Sequence, residues 1–66
     1  MQIIVNGQSR EVADRTTVTA LLDELHLATR AVAVEVNLQL VPRAQHGEHR
    51  LAAGDRLEVV SLVGGG

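Results

Sequence analysis

Two hydrophobic periods run along this chain, and the switch between them lays out its elements. Gln2-Ile3-Ile4-Val5-Asn6 is rich in β-branched residues and reads as a strand. Asn6-Gly7 follows, a pair whose tolerance of positive φ suits a type I′ hairpin turn, so Ser9 to Ala13 reads as the returning strand. Asp14 to Thr17 is polar and turn-like. Val18, Leu21, Leu22 and Leu25 then recur at i, i+3, i+4 and i+7, which predicts an amphipathic helix. Its cap is Thr16 or Thr17, either hydroxyl being able to accept a free backbone N–H. Asp23, Glu24 and His26 fall on the other side, toward water.

After the helix the period returns to two. Ala31 to Val36 reads as a strand with Val32, Val34 and Val36 on one face. Leu38 to Val41 is a shorter strand stopped by Pro42, which has no N–H for a ladder. Arg43 to Arg50 is polar and reads as a loop or short helical turn, with Leu51 as its anchor to the core. Ala53-Gly54-Asp55 makes a turn, and Arg56 to Leu62 is the last strand. One apolar helix stripe and one valine face predict a two-layer α+β domain. A mixed sheet of four to five strands buries both, with the last strand returning to the middle beside the first. That layout is the β-grasp, spanning residues 1–63, with residues 64–66 as a flexible tail.

Size and composition narrow what such a domain does. At 66 residues the chain is one domain. It buries only roughly 60% of its unfolded surface. With no Phe, Tyr or Trp, the core is aliphatic and has little wall to spare for a catalytic pocket. Zero Cys excludes disulfides, Cys-held metals and thiol catalysis by this chain. Six Arg are dispersed from Arg10 to Arg56 against eight acids, and no aromatic ring is available to stack a base, so nucleic acid is not an expected partner. No apolar run approaches a membrane span, and no secretory signal opens the chain, so the expected setting is cytoplasmic.

The candidate chemistry lies at the far end. Gly64-Gly65-Gly66 follow the last strand and cost more to order than any other residue type. They read either as fraying filler or as a thin thread able to enter a partner's channel. At ~3.3 Å per residue, the four residues after Leu62 reach ~13 Å. An α-carboxylate on Gly66 is ionised at neutral pH and can attack the α-phosphate of ATP. The alternation that turns Leu57 and Val59 inward turns Val60 and Leu62 outward, and Ile4 likewise. Ile4, Val60 and Leu62 are therefore candidates for a docking patch beside the tail. His46 and His49 flank Glu48 without any metal-ligand spacing, and read as a solvated loop; no metal site and no catalytic residue is expected. A chain without Lys also carries no side-chain amine to attack an acyl group that it bears.

These residues resemble the ubiquitin-like sulfur carriers, most closely the ThiS family of the thiamine pathway. The resemblance spans the chain. It rests on the Asn6-Gly7 hairpin, Thr17-Val18-Thr19-Ala20-Leu21-Leu22, and Val32 to Asn37 followed by Val41-Pro42-Arg43. It rests also on Gly54-Asp55 and the Val63-Gly64-Gly65-Gly66 ending. Three terminal glycines stand where the family motif needs two, which leaves Gly64 as a spacer. The resemblance implies a covalent carrier and not an enzyme. By that resemblance Gly66 would be adenylated by a ThiF-like adenylyltransferase that uses ATP and Mg, and then converted to a thiocarboxylate, with Gly64 and Gly65 as the stretch that threads into partners. The implied partners are that adenylyltransferase, a ThiG-like thiazole synthase that takes the sulfur, and a cysteine desulfurase that feeds it; no bound cofactor is implied. The molybdopterin-type (MoaD-like) carriers share fold and chemistry but tend to be longer and richer in aromatics. From a different class, a non-covalent β-grasp interaction module with an inert tail also fits the pattern.

Overall fold

The computed structural model describes residues 1–62; the expected domain end at Val63 and the tail residues Gly64, Gly65 and Gly66 lie outside the described residues. Strand β1 (Gln2–Val5) and strand β2 (Gln8–Glu11) form an antiparallel hairpin with Val5 opposite Gln8. The two residues between them, Asn6 (φ 50°) and Gly7 (φ 81°), have the paired positive φ of a type I′ turn. This tight loop starts β2 at Gln8, one residue before the expected Ser9. Val12 still donates to the Met1 carbonyl and turns its side chain into the core, whereas Ala13 is exposed.

Helix α1 (Val18–Glu24) begins at Thr17, whose hydroxyl accepts from the Ala20 amide at 3.1 Å. Thr16 acts elsewhere. Its hydroxyl donates to the Ala13 carbonyl at 2.6 Å and closes the preceding turn. Buried Val18, Leu21 and Leu22 are the stripe that periodicity predicts, with Leu25 partly buried at the cap. The helix stops in a Schellman arrangement. His26 takes a positive φ of 60°, its N–H reaches the Asp23 carbonyl, and the Leu27 N–H reaches the Leu22 carbonyl. Histidine holds a position usually given to Gly or Asn, so His26 lies past the helix and not on its wet face.

Strand β3 (Val32–Val36) pairs with β4 (Gln39–Val41) through a second tight turn. Asn37 (φ 52°) and Leu38 (φ 69°) occupy that turn, which removes Leu38 from the expected short strand. A short 3₁₀ turn (Arg43–Gln45) follows Pro42. Strand β5 (Arg56–Ser61) enters the centre, parallel to β1 and antiparallel to β3. The strand order β2-β1-β5-β3-β4 gives the five-stranded mixed sheet of a β-grasp.

One face of the sheet and the helix stripe make the core. Leu57 stands in register between Val5 and Val36 and is 2% exposed. Ile3, Val34, Val18 and Leu21 are fully buried around it. Aliphatics of this size contribute roughly 1.5–3 kcal/mol each when buried, so a chain without aromatics still assembles a core. Leu51 anchors its loop as expected: it is buried, and its N–H donates to the Thr16 carbonyl at 2.8 Å. The expected solvated position of His46 is corrected. His46 is 6% exposed, and its ring Nε2 lies 3.0 Å from the Val41 carbonyl. The loop closes over the helix start, where Thr19 donates to the His46 carbonyl and Val18 to that of His49, and this burial carries the imidazole inward.

Candidate functional site

The last strand carries the chain toward Gly66, so its support decides what the tail's base presents. β5 has a full partner in β3 from Leu57 to Ser61, but β1 pairs with it only at Arg56 and Leu57. Beyond that point the ladder on the β1 side has ended, and the Val59 N–H and C=O on that edge have no strand partner. The Asn6 side chain fills the gap. Its Oδ1 accepts from the Val59 N–H at 2.8 Å and its Nδ2 donates to the Val59 carbonyl at 3.2 Å. At the strand's start, Asn37 Oδ1 accepts from the Arg56 N–H at 3.0 Å, while its Nδ2 donates to Asp55 Oδ1 at 3.0 Å. Asp55 in turn holds the Ala52 N–H with Oδ2 at 2.8 Å. The asparagines of both type I′ turns thus brace β5. They do so because the φ > 0 position points their short amides across to the central strand. Leu62 leaves the sheet with its N–H still bonded to the Ala31 carbonyl at 2.8 Å.

The sheet's outer face is set by register. Opposite β5, Glu35 stands across from Glu58 and Ala33 across from Val60. On β4, Leu40 stands across from Glu35. Val60 and Leu62 are 55% and 62% exposed, and Leu40 is 64% exposed. A cleft of about 260 Å³, lined also by Arg43 and His46, joins Leu62, Ala31, Ala33, Leu40 and Pro42 at the point where the chain leaves β5. Apolar side chains therefore gather around the tail's base, with the Glu35–Glu58 pair beside them. Two carboxylates directly opposite repel each other, and Arg56 lines the same groove as both.

The expected grouping of Ile4 with Val60 and Leu62 is corrected by this register. Ile4 is half-buried and stands opposite Arg56, four residues before Val60, which at ~3.4 Å per residue is ~14 Å along the strand. Leu40 takes the place assigned to Ile4. Its signal was present in the sequence: with Val41 inward, the two-residue period points Leu40 outward. Leu38, 90% exposed at the tip of the second turn, is the other apolar residue missed. Gly64, Gly65 and Gly66 follow beyond the described residues. Among the described residues no group of three or more His, Cys, Asp or Glu is placed to hold a metal, and no helix is long and apolar enough to cross a membrane.

The same chain is similar to known proteins along its whole length. The family model described as the ThiS family matches residues 3–66. The sulfur carrier protein ThiS of Escherichia coli K12 is 35% identical over 66 residues, covering all of both chains. A thiazole synthase of Paramagnetospirillum magneticum is 42% identical over 66 residues, and one of Magnetococcus marinus 39%. The chain spans only 20% of the length of either synthase. Among solved structures, the crystal structure of the thiamine biosynthesis protein ThiS from Geobacter metallireducens superposes with a TM-score of 0.84 at 33% identity, each chain being fully covered.

Proposed function

The chain belongs to the ThiS family, and from that premise we propose that it is a sulfur carrier of thiamine biosynthesis, a co-substrate of other enzymes and not itself a catalyst. The observation that carries this reading is its similarity, end to end on both sides, to a sulfur carrier protein. Gly66 is the residue that is modified. Its carboxylate attacks the α-phosphorus of ATP in a ThiF-like adenylyltransferase that uses Mg; the bond to pyrophosphate breaks and an acyl adenylate forms. The terminal sulfur of a persulfide, supplied through a cysteine desulfurase, attacks the acyl carbon, and AMP leaves. A thiol of a partner then cleaves the S–S bond, taking the donor sulfur into a disulfide and leaving a thiocarboxylate on Gly66. Both thiols come from partners, since this chain has no Cys.

A ThiG-like thiazole synthase accepts that sulfur. Two synthases that contain a stretch similar to this chain support this partner. Val60, Leu62 and Leu40 form the docking face, and Gly64 and Gly65 pass through the partner's channel, where the absence of Cβ atoms allows a narrow bore.

The test is intact mass after incubation with a ThiF-like enzyme, MgATP and a persulfide donor. The expected gain is the replacement of one oxygen by sulfur, and it disappears when Gly66 is deleted. An unchanged mass, with an enzyme proven active on another carrier, returns the chain to a non-covalent module. Sulfur transfer to molybdopterin synthase in place of thiazole synthase moves it to the other carrier pathway.

A further inference from the structure

Between the start of α1 and the turn after β4 lies a recess of about 130 Å³. Thr19, Arg30, Arg43 and His46 supply its polar lining, and Leu22 and Val32 its apolar floor. We propose that this recess is a binding site for a tetrahedral oxyanion, a phosphoryl group held by Arg30, Arg43 and the Thr19 hydroxyl. The proposal goes beyond the carrier reading and does not depend on it.

Charge is the first argument. The chain has a formal net charge of −2, yet this recess is lined by two arginines and no acid. Among the described residues neither Arg30 nor Arg43 forms an ion pair, whereas Arg10 reaches Glu24 at 3.6 Å. Arg30 and Arg43, both exposed, line the same recess; like charges there repel, and an anion between them reverses the sign of that interaction. Guanidinium forks match the oxygens of phosphate, and a hydroxyl donor completes the set. Size is the second argument. The volume is several times the ~30 Å³ share of one water and well below the ~300 Å³ of sites that enclose whole organic ligands. It suits one phosphoryl group, free or at the end of a larger molecule.

Rigidity is the third argument. The recess joins three segments, and His46 locks two of them. The Val41 carbonyl accepts only, so His46 Nε2 carries the proton in their 3.0 Å bond, and the His46 carbonyl accepts from the Thr19 amide at 3.1 Å. That ties the turn carrying Arg43 to the helix turn carrying Thr19. His46 is 6% exposed, and its burial serves this tie.

The experiment titrates inorganic phosphate into the full chain at constant ionic strength, chloride compensating, and follows backbone amides and arginine Nε–H signals by NMR. Saturable shifts confined to Thr19, Arg30, Val32, Arg43 and His46 are expected, with a midpoint on the order of 1–10 mM. Arg43→Gln and Arg30→Gln should each weaken binding at least tenfold while leaving the β1–β2 signals in place. Shifts that scatter over all six arginines, or that persist in the double variant, overturn the proposal. A parallel titration with methyl phosphate separates the sources: equal or tighter binding assigns the recess to a phosphomonoester head, and a tenfold loss to the free ion. Binding that appears only after residues 64–66 are removed gives the recess to the chain's own carboxylate and overturns the proposal.

Discussion

Asn6→Gly isolates the brace on the last strand from the turn that carries it. Glycine accepts the φ of 50° at this position, so the type I′ hairpin is kept while the side-chain amide is removed. Two hydrogen bonds to Val59 are lost, at 2.8 and 3.2 Å. A net intramolecular hydrogen bond contributes roughly 0.5–1.5 kcal/mol. Val59 is half-buried, and water reaches its freed backbone groups, so the lower half of that range applies. The two bonds together are expected to contribute about 1–2 kcal/mol, and the added glycine costs a further ~0.5–1 kcal/mol of backbone entropy. In a domain of this size that is a large share of a total of roughly 3–10 kcal/mol. The melting temperature should fall by roughly 4–8 °C per kcal/mol.

Amide exchange gives the sharper readout. Val59 protection should drop by more than the global change, because its N–H loses its acceptor outright. Amides between β1 and β2 should lose only the global part. Unchanged Val59 protection with an unchanged melting temperature would refute the view that Asn6 stands in for the missing ladder.

The remaining predictions concern the other turn, the docking face and the chain's first residues. Leu38→Gly removes a bulky residue from φ 69°, where an L side chain costs about 1–2 kcal/mol, and adds about 0.5–1 kcal/mol of glycine entropy. Since Leu38 is 90% exposed and loses no packing, a gain of roughly 0.5–1 kcal/mol is expected in urea unfolding. Leu62→Asp should leave the melting temperature within a few degrees and block adenylation by the activating enzyme; unchanged adenylation kinetics would remove Leu62 from the docking face. The Met1 ammonium donates to Glu11 at 2.7 Å, and this bond, more than the charges, holds the Glu11 carboxyl below the usual range and the amine above it. The Glu11 contribution is therefore present above the ordinary carboxylate pKa and lost as pH falls through the depressed one. The amine contribution is present below its ordinary pKa and lost as pH rises through the raised one. Glu11→Gln should flatten both limbs of a stability–pH curve, and a curve of unchanged shape would count against the pair.

The local elements were legible because each rests on neighbours in sequence. Asn6-Gly7 encodes its turn through the φ values both residues tolerate. Val18, Leu21 and Leu22 encode the helix face through a spacing of three and four, and Val32, Val34 and Val36 the strand face through a spacing of two. The central place of the last strand was also readable, since only that layout buries both apolar faces in so short a chain. Tertiary structure decided what depends on register between distant strands. Pairing of Ile4 with Arg56 moves Ile4 away from Val60, and pairing of Glu35 with Leu40 brings Leu40 to the face instead. Closure of the 46–51 segment over the helix start buries His46, which polarity alone assigns to water. Asn6 and Val59 lie 53 residues apart, and no local pattern announces their bonds. Side-chain period is a property of consecutive residues, whereas contact across a sheet is fixed only when the whole chain has found its one register.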